Sequence, residues 1–414
     1  MASAPAANEP AAVARLAGLG FAEAVRRVEE AHEAVAARSF TVSGASASPA
    51  RRIHDAIAAG SYGAVQLAGE AAGSLAAIAL RARPPRAAAD RISASRRGSF
   101  ALAALNGLIG DRLEREDSEL SIETELRLSG RPVALDRGAL AEAYPDATSR
   151  LVVFVHGLCE TEGAWWLGAQ RRWGDPDSTH GTRLARDLGV TPLYVRYNSG
   201  LHISDSGERL AQLLEKLVAD WPVDVQDLSV VGHSMGGLVA RSACAEGERA
   251  GHRWIGAART FVYLGTPHLG APLERLTNAA AAGLAAIPET RPVATVLRTR
   301  SAGIKDLRHG ALLEGDWAEC DPDALLGDRC ADVPLLDTAE HYVVCATVSR
   351  RAEGPLGRIV GDLLVLYASG SGRGGKRGRR IPFSEANGRH LPGATHFDLL
   401  NHPQVYEHLR DWLA

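Results

Sequence analysis

The sequence has few cysteines, almost no lysine, little net charge and no long block of one sign, and each scarcity closes a class of function. Its five cysteines, Cys159, Cys244, Cys320, Cys330 and Cys345, are odd in number and scattered without metal-ligand spacing. That excludes a disulfide framework, offers no metal site, and fits a reducing compartment. Only Cys320 and Cys330 are candidates to pair. Of the 46 basic residues three are lysine, Lys216, Lys305 and Lys376, so arginine carries the positive charge. The net charge is −3, and the one basic run, RGGKRGRR from Arg373 to Arg380, is glycine-rich and reads as a solvated loop. Such a surface gives no broad electrostatic footprint for nucleic acid. The opening MASAPAANEPAAVARLAGLG has neither a basic n-region nor an unbroken apolar h-region, so no secretory leader is expected and the cytoplasm is the expected location.

What is present is an apolar fraction of 46%, enough for one large domain and an appendage. Residues 11 to 37 set Val13, Leu16, Leu19, Phe21, Val25 and Val28 at helical spacing among charged residues, which predicts one amphipathic helix or two. From Arg51 to Leu80 the chain is rich in alanine and glycine, and Gly69 and Gly73 have the spacing that lets helices approach closely. The stretch from Tyr62 to Leu80 nearly reaches membrane-spanning length, but Gln66 and Glu70 interrupt it, so packed helices are expected, with peripheral membrane contact as the other reading. A short helix around Phe100 to Leu113 follows.

The composition then changes, dividing an N-terminal helical region (1–116) from the rest (117–414). ELSIETELRLSGRPVAL, from Glu119, alternates about a Ser129-Gly130 turn and predicts a hairpin. Downstream, the apolar runs LVVFV (151–155), PLYVRY (192–197), LSVVG (228–232), TFVYLG (260–265) and HYVVCATV (341–348) alternate with helical stretches, the last from Pro403 to Trp412. Strands without polar alternation, separated by helices, predict a mostly parallel sheet covered on both faces, an α/β fold. Between Pro272 and Leu336 the pattern breaks into alanine-rich, irregular sequence, which reads as an inserted cap or lid.

SVVGHSMGGLVAR, Ser229 to Arg241, sets Ser234 where a buried strand must turn sharply into a helix, between Gly232 and Gly236. That is the local pattern of a nucleophile elbow. A serine hydroxyl attacks at neutral pH only when a base takes its proton, and the base needs a carboxylate to fix its tautomer. In GATHFDLL, His396 stands just ahead of the last helix as the candidate base, with His390 and His402 as rivals. The candidate acid is Asp362 in RIVGDLLVLYASG, with Glu353 as the rival. Two backbone N–H groups must meet the oxyanion, and these are assigned to Met235, directly after the serine, and to Leu158 in the loop after LVVFV. His156 is expected to hold that loop, and Cys159 to be a small loop residue rather than a thiol nucleophile.

VHGL (155–158), GHSMGG (232–237), GTPHLGAPLER (265–275), GDLLV (361–365) and the late His396 together resemble the lipase and esterase branch of the α/β-hydrolase superfamily, including lipase-like and GPI inositol-deacylase-like proteins. The resemblance covers roughly residues 117 to 414 and implies Ser234, Asp362 and His396 as a catalytic triad, with the amides of Leu158 and Met235 as the oxyanion hole. It departs from the family at one point: such proteins often carry Asp-Gly-Leu-Val where this chain has Asp362-Leu363-Leu364-Val365. The expected activity is hydrolysis of a lipid-like acyl ester through an acyl-enzyme, without cofactor or metal. An acyltransferase or thioesterase using the same triad, or a non-catalytic binding module on the same fold, are the alternatives. Leu276, Leu284, Ile287, Val293, Val296 and Leu297 are candidates to line an acyl pocket or to pack as helical core, and Trp165 and Trp166 either wall the site or only pack.

Overall fold

The computed structural model describes residues 9–43, 48–81, 93, 95–271, 291, 295, 298–319, 330–352, 360–373 and 379–414. Its contacts divide the chain into two compact units, one of residues 1–99, 113–121 and 276–300, the other of residues 100–112, 122–275 and 301–414. Residues 100–112, grouped with the N-terminal region on sequence grounds, thus belong with the second unit.

In the first unit, helices α1 (Glu9–Ser43) and α2 (Ser48–Arg81) pack on each other. The contact is made of glycine: a Cβ on Gly18 would lie 2.7 Å from the Gly69 oxygen and 2.8 Å from the Gly73 Cα. Without side chains at these positions the two backbones meet directly. Gln66, read as an interruption of the apolar stretch, donates to Glu29 of α1 at 2.7 Å and so bridges the pair. The side of α2 away from this contact is bare, with Leu67, Leu75 and Ile78 exposed. The segment Ser61–Leu80 is long and apolar enough, by length and composition, to cross a membrane.

Helix α3 (Arg96–Arg115) bends at Ile109, where φ is −140° and ψ 22°. The bend frees two carbonyls in the part of α3 that belongs to the second unit. Ser301 takes both, its hydroxyl donating to the Gly107 oxygen (2.6 Å) and its amide to the Leu108 oxygen (3.0 Å).

The second unit is built on one sheet of β1 (Glu125–Leu128), β2 (Arg131–Val133), β3 (Arg150–Val155), β4 (Thr191–Arg196), β5 (Asp227–His233), β6 (Ala258–Leu264), β7 (Glu340–Thr347) and β8 (Gly388–Pro392), in the order β2-β1-β4-β3-β5-β6-β7-β8. The predicted hairpin is β1–β2, turned by Ser129 and Gly130 at φ 50° and 76°. It joins antiparallel to β4, and every pair from β4 to β8 is parallel. Alternate residues of each apolar run serve opposite faces. Val153, Val155 and Val230 pack with helix α4 (Ile203–Asp220) and helix α5 (Met235–Ala250) in one core, while Val152, Phe154 and Val231 pack with Trp165, Leu184 and helix α6 (Pro403–Trp412) in the other. That double burial is why the strands read as unbroken apolar runs.

The loop after β3 is anchored by a buried ion pair. Arg196 grips Glu162 with both Nε and Nη2 at 2.6 Å, and Arg127 approaches the same carboxylate at 3.6 Å. Removing Arg196 takes both close hydrogen bonds from a buried carboxylate and leaves it only the more distant Arg127, which costs more than an exposed pair contributes. Arg196→Met is therefore expected to lower stability by about 3 kcal/mol. A urea titration checks this: the midpoint should fall with the slope unchanged.

Candidate active site

Ser234 stands between β5 and α5 with φ 53° and ψ −125°, a conformation that a residue with a side chain adopts only when its surroundings enforce it. Glycine permits the enforcement. A Cβ on Gly232 would lie 2.6 Å from the Gly237 Cα, and one on Gly236 would lie 2.3 Å and 2.4 Å from the carbonyl oxygens of Val155 and His156. The serine amide donates to the Leu264 oxygen at 2.8 Å, tying the turn to the end of β6.

Asp362 and His396 are brought together although 34 residues separate them. Val348 donates to the Gly361 oxygen at 3.0 Å, so the chain beyond β7 returns to the strand's end just before Asp362. The Asp362 Oδ1 accepts from the amides of Leu364 (3.0 Å) and Val365 (2.7 Å), which leaves Oδ2 for the His396 Nδ1–H at 2.7 Å. The His396 amide also donates to the Asp362 carbonyl at 3.0 Å. Both side chains are buried. His396 opens a short 3-10 turn, His396–Leu400, capped by Asp398, which accepts from the amide and hydroxyl of Thr395 and pairs with Arg171 and Arg172. Because Nδ1 carries the proton given to Asp362, Nε2 is an acceptor, and it has no hydrogen-bond partner among the described residues. The ring lies beside the serine turn, 4.7 Å from the ring of His233.

In the loop after β3, the amide of Gly157 donates to Glu160 (2.7 Å), that of Cys159 to the Ser199 hydroxyl (3.0 Å) and that of Glu160 to the Gly157 oxygen (3.4 Å). Among the described residues no acceptor takes the Leu158 amide between them, nor that of Met235 at the first position of α5. A Cβ on Gly157 would lie 2.9 Å from the Ser234 Cβ, so this loop runs against the nucleophile turn.

Residues 145–310, less than half of the chain, match the family model described as "Putative serine esterase (DUF676)". The matched stretch runs from ahead of β3 to beyond β6 and includes the turn at Ser234, and its likeness is to serine esterases. Among solved structures the chain is similar to the mature form of Bacillus licheniformis lipase BlEst2, at 18% identity over 64% of this chain and 92% of that one, with a TM-score of 0.41. It is also similar to phospholipase PlaB from Legionella pneumophila, at 14% identity over 64% of this chain and 60% of that one (TM-score 0.38). A third is the hyperthermophilic esterase from the archaeon Pyrobaculum calidifontis, at 16% identity over 64% and 74% (TM-score 0.34). These likenesses are too distant to carry weight. No curated protein matches the sequence.

The rivals for the base are engaged elsewhere. His390 sits on β8 with Nε2 2.8 Å from the Thr347 hydroxyl, and His402 caps α6, accepting from the Gln404 amide at 3.3 Å. Glu353 lies outside the described residues, as do Cys320 and the six apolar residues considered for an acyl pocket. Described parts of the interval read as a lid are built into the second unit: the Ser242 hydroxyl donates to the Leu312 oxygen at 2.7 Å and Arg241 to the Val333 oxygen at 2.8 Å. Trp165 and Trp166 pack against Phe154 and Tyr194 at ring distances of 4.9 and 4.8 Å, and Trp165 also meets the His233 ring edge-on at 6.3 Å. The solvated-loop reading of the arginine run needs correcting at Arg379, whose Nη2 donates to the carbonyls of His268 (3.1 Å) and His309 (2.5 Å).

His156 does hold its loop: the Tyr197 amide donates to Nε2 (3.3 Å), so Nδ1 is the protonated nitrogen and donates to the Gly157 oxygen (2.9 Å). Burial lowers its pKa to about 4, which keeps it neutral. Burial pushes the Cys159 thiol up to about 11, far from a reactive thiolate. Two residues that sequence reading passed over stand inside the site. Glu160 accepts from His233 Nδ1 at 3.1 Å, and His233 Nε2 faces the His396 carbonyl at 3.3 Å. The only signal was a carboxylate three residues beyond Gly157 and a histidine beside the serine; their pairing across 73 positions had none.

The departure at Leu363 leaves the turn intact but strained. Leu363 has φ 89°, the left-handed region where glycine is at ease, and its side chain is 61% exposed. With so little burial to lose, Leu363→Gly is expected not to destabilise the protein, whereas the β-branched Leu363→Val costs about 1 kcal/mol or more. Paired thermal melts of the two variants check the sign.

Proposed function

We propose that the chain hydrolyses a lipid-like carboxylic ester by an acyl-enzyme route, with Ser234 as nucleophile, His396 as general base and then acid, Asp362 as its orienting carboxylate, and the amides of Leu158 and Met235 as the oxyanion hole. The observation that carries the reading is the Asp362–His396 bond, with Nε2 unengaged beside a serine in the strained elbow conformation. His396 Nε2 takes the hydroxyl proton as Ser234 Oγ attacks the ester carbonyl carbon. The negative charge gathers on the former carbonyl oxygen, where fixed amides stabilise it more than they stabilise the ground state. Collapse breaks the bond to the alkoxide, which leaves with the proton from Nε2, and water repeats the sequence on the acyl-enzyme.

The lipid-like substrate rests on apolar side chains left in the open. Leu363 and Phe397, the residues directly after the acid and the base, are 61% and 50% exposed. An acyl chain lying across them removes both from water. The exposed apolar side chains of α2, with the apolar segment Ser61–Leu80, support peripheral membrane contact by the N-terminal helices, and the scattered cysteines support a reducing, cytoplasmic compartment.

A fluorophosphonate probe tests the mechanism. It should label the wild type at Ser234, and Ser234→Ala should lose labelling and about 10⁶-fold in kcat while remaining folded. Asp362→Asn should lose about 10⁴-fold through the wrong tautomer of His396. Labelling of a different serine overturns the assignment. For the substrate, p-nitrophenyl octanoate is expected to outrun the acetate in kcat/KM, by up to about fourfold for each buried methylene. Phe397→Ala should narrow that ratio, and an acetate preference in the wild type counts against a lipid-like ester.

A further inference from the structure

We infer that Glu160 and His233 form a buried ion pair that positions the oxyanion loop and the base loop about the nucleophile turn, making both positioning residues of the hydrolysis. This rests on the reading of Ser234 and His396 given above. The geometry ties three separate segments together. Glu160 Oε2 accepts at once from the Gly157 amide (2.7 Å), next to the Leu158 donor, and from His233 Nδ1 (3.1 Å). His233 immediately precedes Ser234, and its Nε2 reaches the carbonyl of His396 itself (3.3 Å). Both ring nitrogens of His233 therefore face oxygens that can only accept, a carboxylate and a peptide carbonyl. Satisfying both requires both nitrogens to be protonated, and the imidazolium needs the buried carboxylate beside it.

The surroundings favour that charge state. Burial acts against the charged forms of both groups, yet the His233 charge and hydrogen bond hold the Glu160 carboxyl below its ordinary value, and Glu160 holds His233 above its own. Asp362 adds to the field on His233, while His156, the other titratable ring near Glu160, is held neutral by burial. The sign of the pH dependence follows. The carboxylate's contribution is lost as pH falls through the lowered folded pKa of Glu160, and the imidazolium's as pH rises through the raised folded pKa of His233. Between those limits the pair is intact. His233 also lies 4.7 Å from the ring of His396, so its charge acts on the base unless a carboxylate balances it.

Glu160→Gln keeps the shape and an acceptor oxygen but removes the charge. His233 then either loses its second proton, and with it one of its two donations, or stays charged and repels the His396 imidazolium that forms in the reaction. Either way kcat is expected to fall about tenfold with KM little changed, and the alkaline limb of the kcat profile should move to lower pH. Glu160→Ala, which also strands the Gly157 amide, should fall about 10²-fold. Glu160→Asp should recover part of the loss. A purely structural role would lower Tm without moving the pH limb.

A measurement on the wild type stands apart from variant folding: ¹⁵N-histidine NMR at pH 7, with the His233 ring assigned by its loss in His233→Asn, should show both nitrogens protonated. A neutral His233 ring overturns the proposal, and so does Glu160→Gln with unchanged kcat and pH profile. The two readings fail separately. A wild type that never labels at Ser234 defeats the hydrolase mechanism, whereas a labelled wild type matched in rate by Glu160→Gln defeats only the positioning role.

Discussion

The site depends on how closely two pieces of backbone approach each other. The nucleophile turn after β5 and the loop after β3 meet with Gly236 against the carbonyls of Val155 and His156 and Gly157 against the Ser234 Cβ, contacts that any added Cβ would break. Their closeness holds Ser234 at φ 53°, and among the described residues the Met235 and Leu158 amides have no acceptor. Amides placed this way are rigid because they are backbone, and such donors need no reorganisation when charge develops beside them. The parallel register of β3 with β5, pairing Val155 with Gly232, is what sets the two pieces side by side.

Much of this was legible in the sequence, for identifiable reasons. Strands buried on both faces must be apolar throughout, so LVVFV, LSVVG and TFVYLG announced β3, β5 and β6 to within two residues. The glycines about Ser234 announced the turn because only glycine fits there. Strand β8 was not legible: its sequence, Gly388 to Pro392, is short, largely half-exposed and ends in proline, so it lacks the apolar run that marked the others. The Asp362–His396 pairing followed from chain order in the fold, and the structure adds the reason Asp362 holds its place, a carboxylate fixed by two backbone amides. Glu160 and Glu162 read alike in sequence, two acids in one loop, and only the fold reveals that one faces His233 and the other Arg196.

Strain and satisfaction are distributed unevenly around the site. Ser234, Cys159 and Leu363 all have positive φ without being glycine, and all lie in segments that shape the site. Cys159 is held there by contact on one side with α3, where a Cβ on Gly107 would come within 2.2 Å of its sulfur. On the other side its amide bonds to Ser199. Well-packed neighbours can impose such conformations, and the elements around the loop supply them.

Helix α3 also sets where the catalytic body can be cut. Its middle turn lies under the oxyanion loop at Gly107, its Asn106 side chain accepts from the Ile122 amide, and Asn198 donates to the Gly110 carbonyl. A fragment begun at the compositional break near residue 117 would therefore lack the floor of its own oxyanion loop, however complete its sheet. A fragment that keeps this support has to start ahead of Phe100, and any fusion or excision that treats the N-terminal third as a detachable appendage removes a support of the loop after β3 along with it.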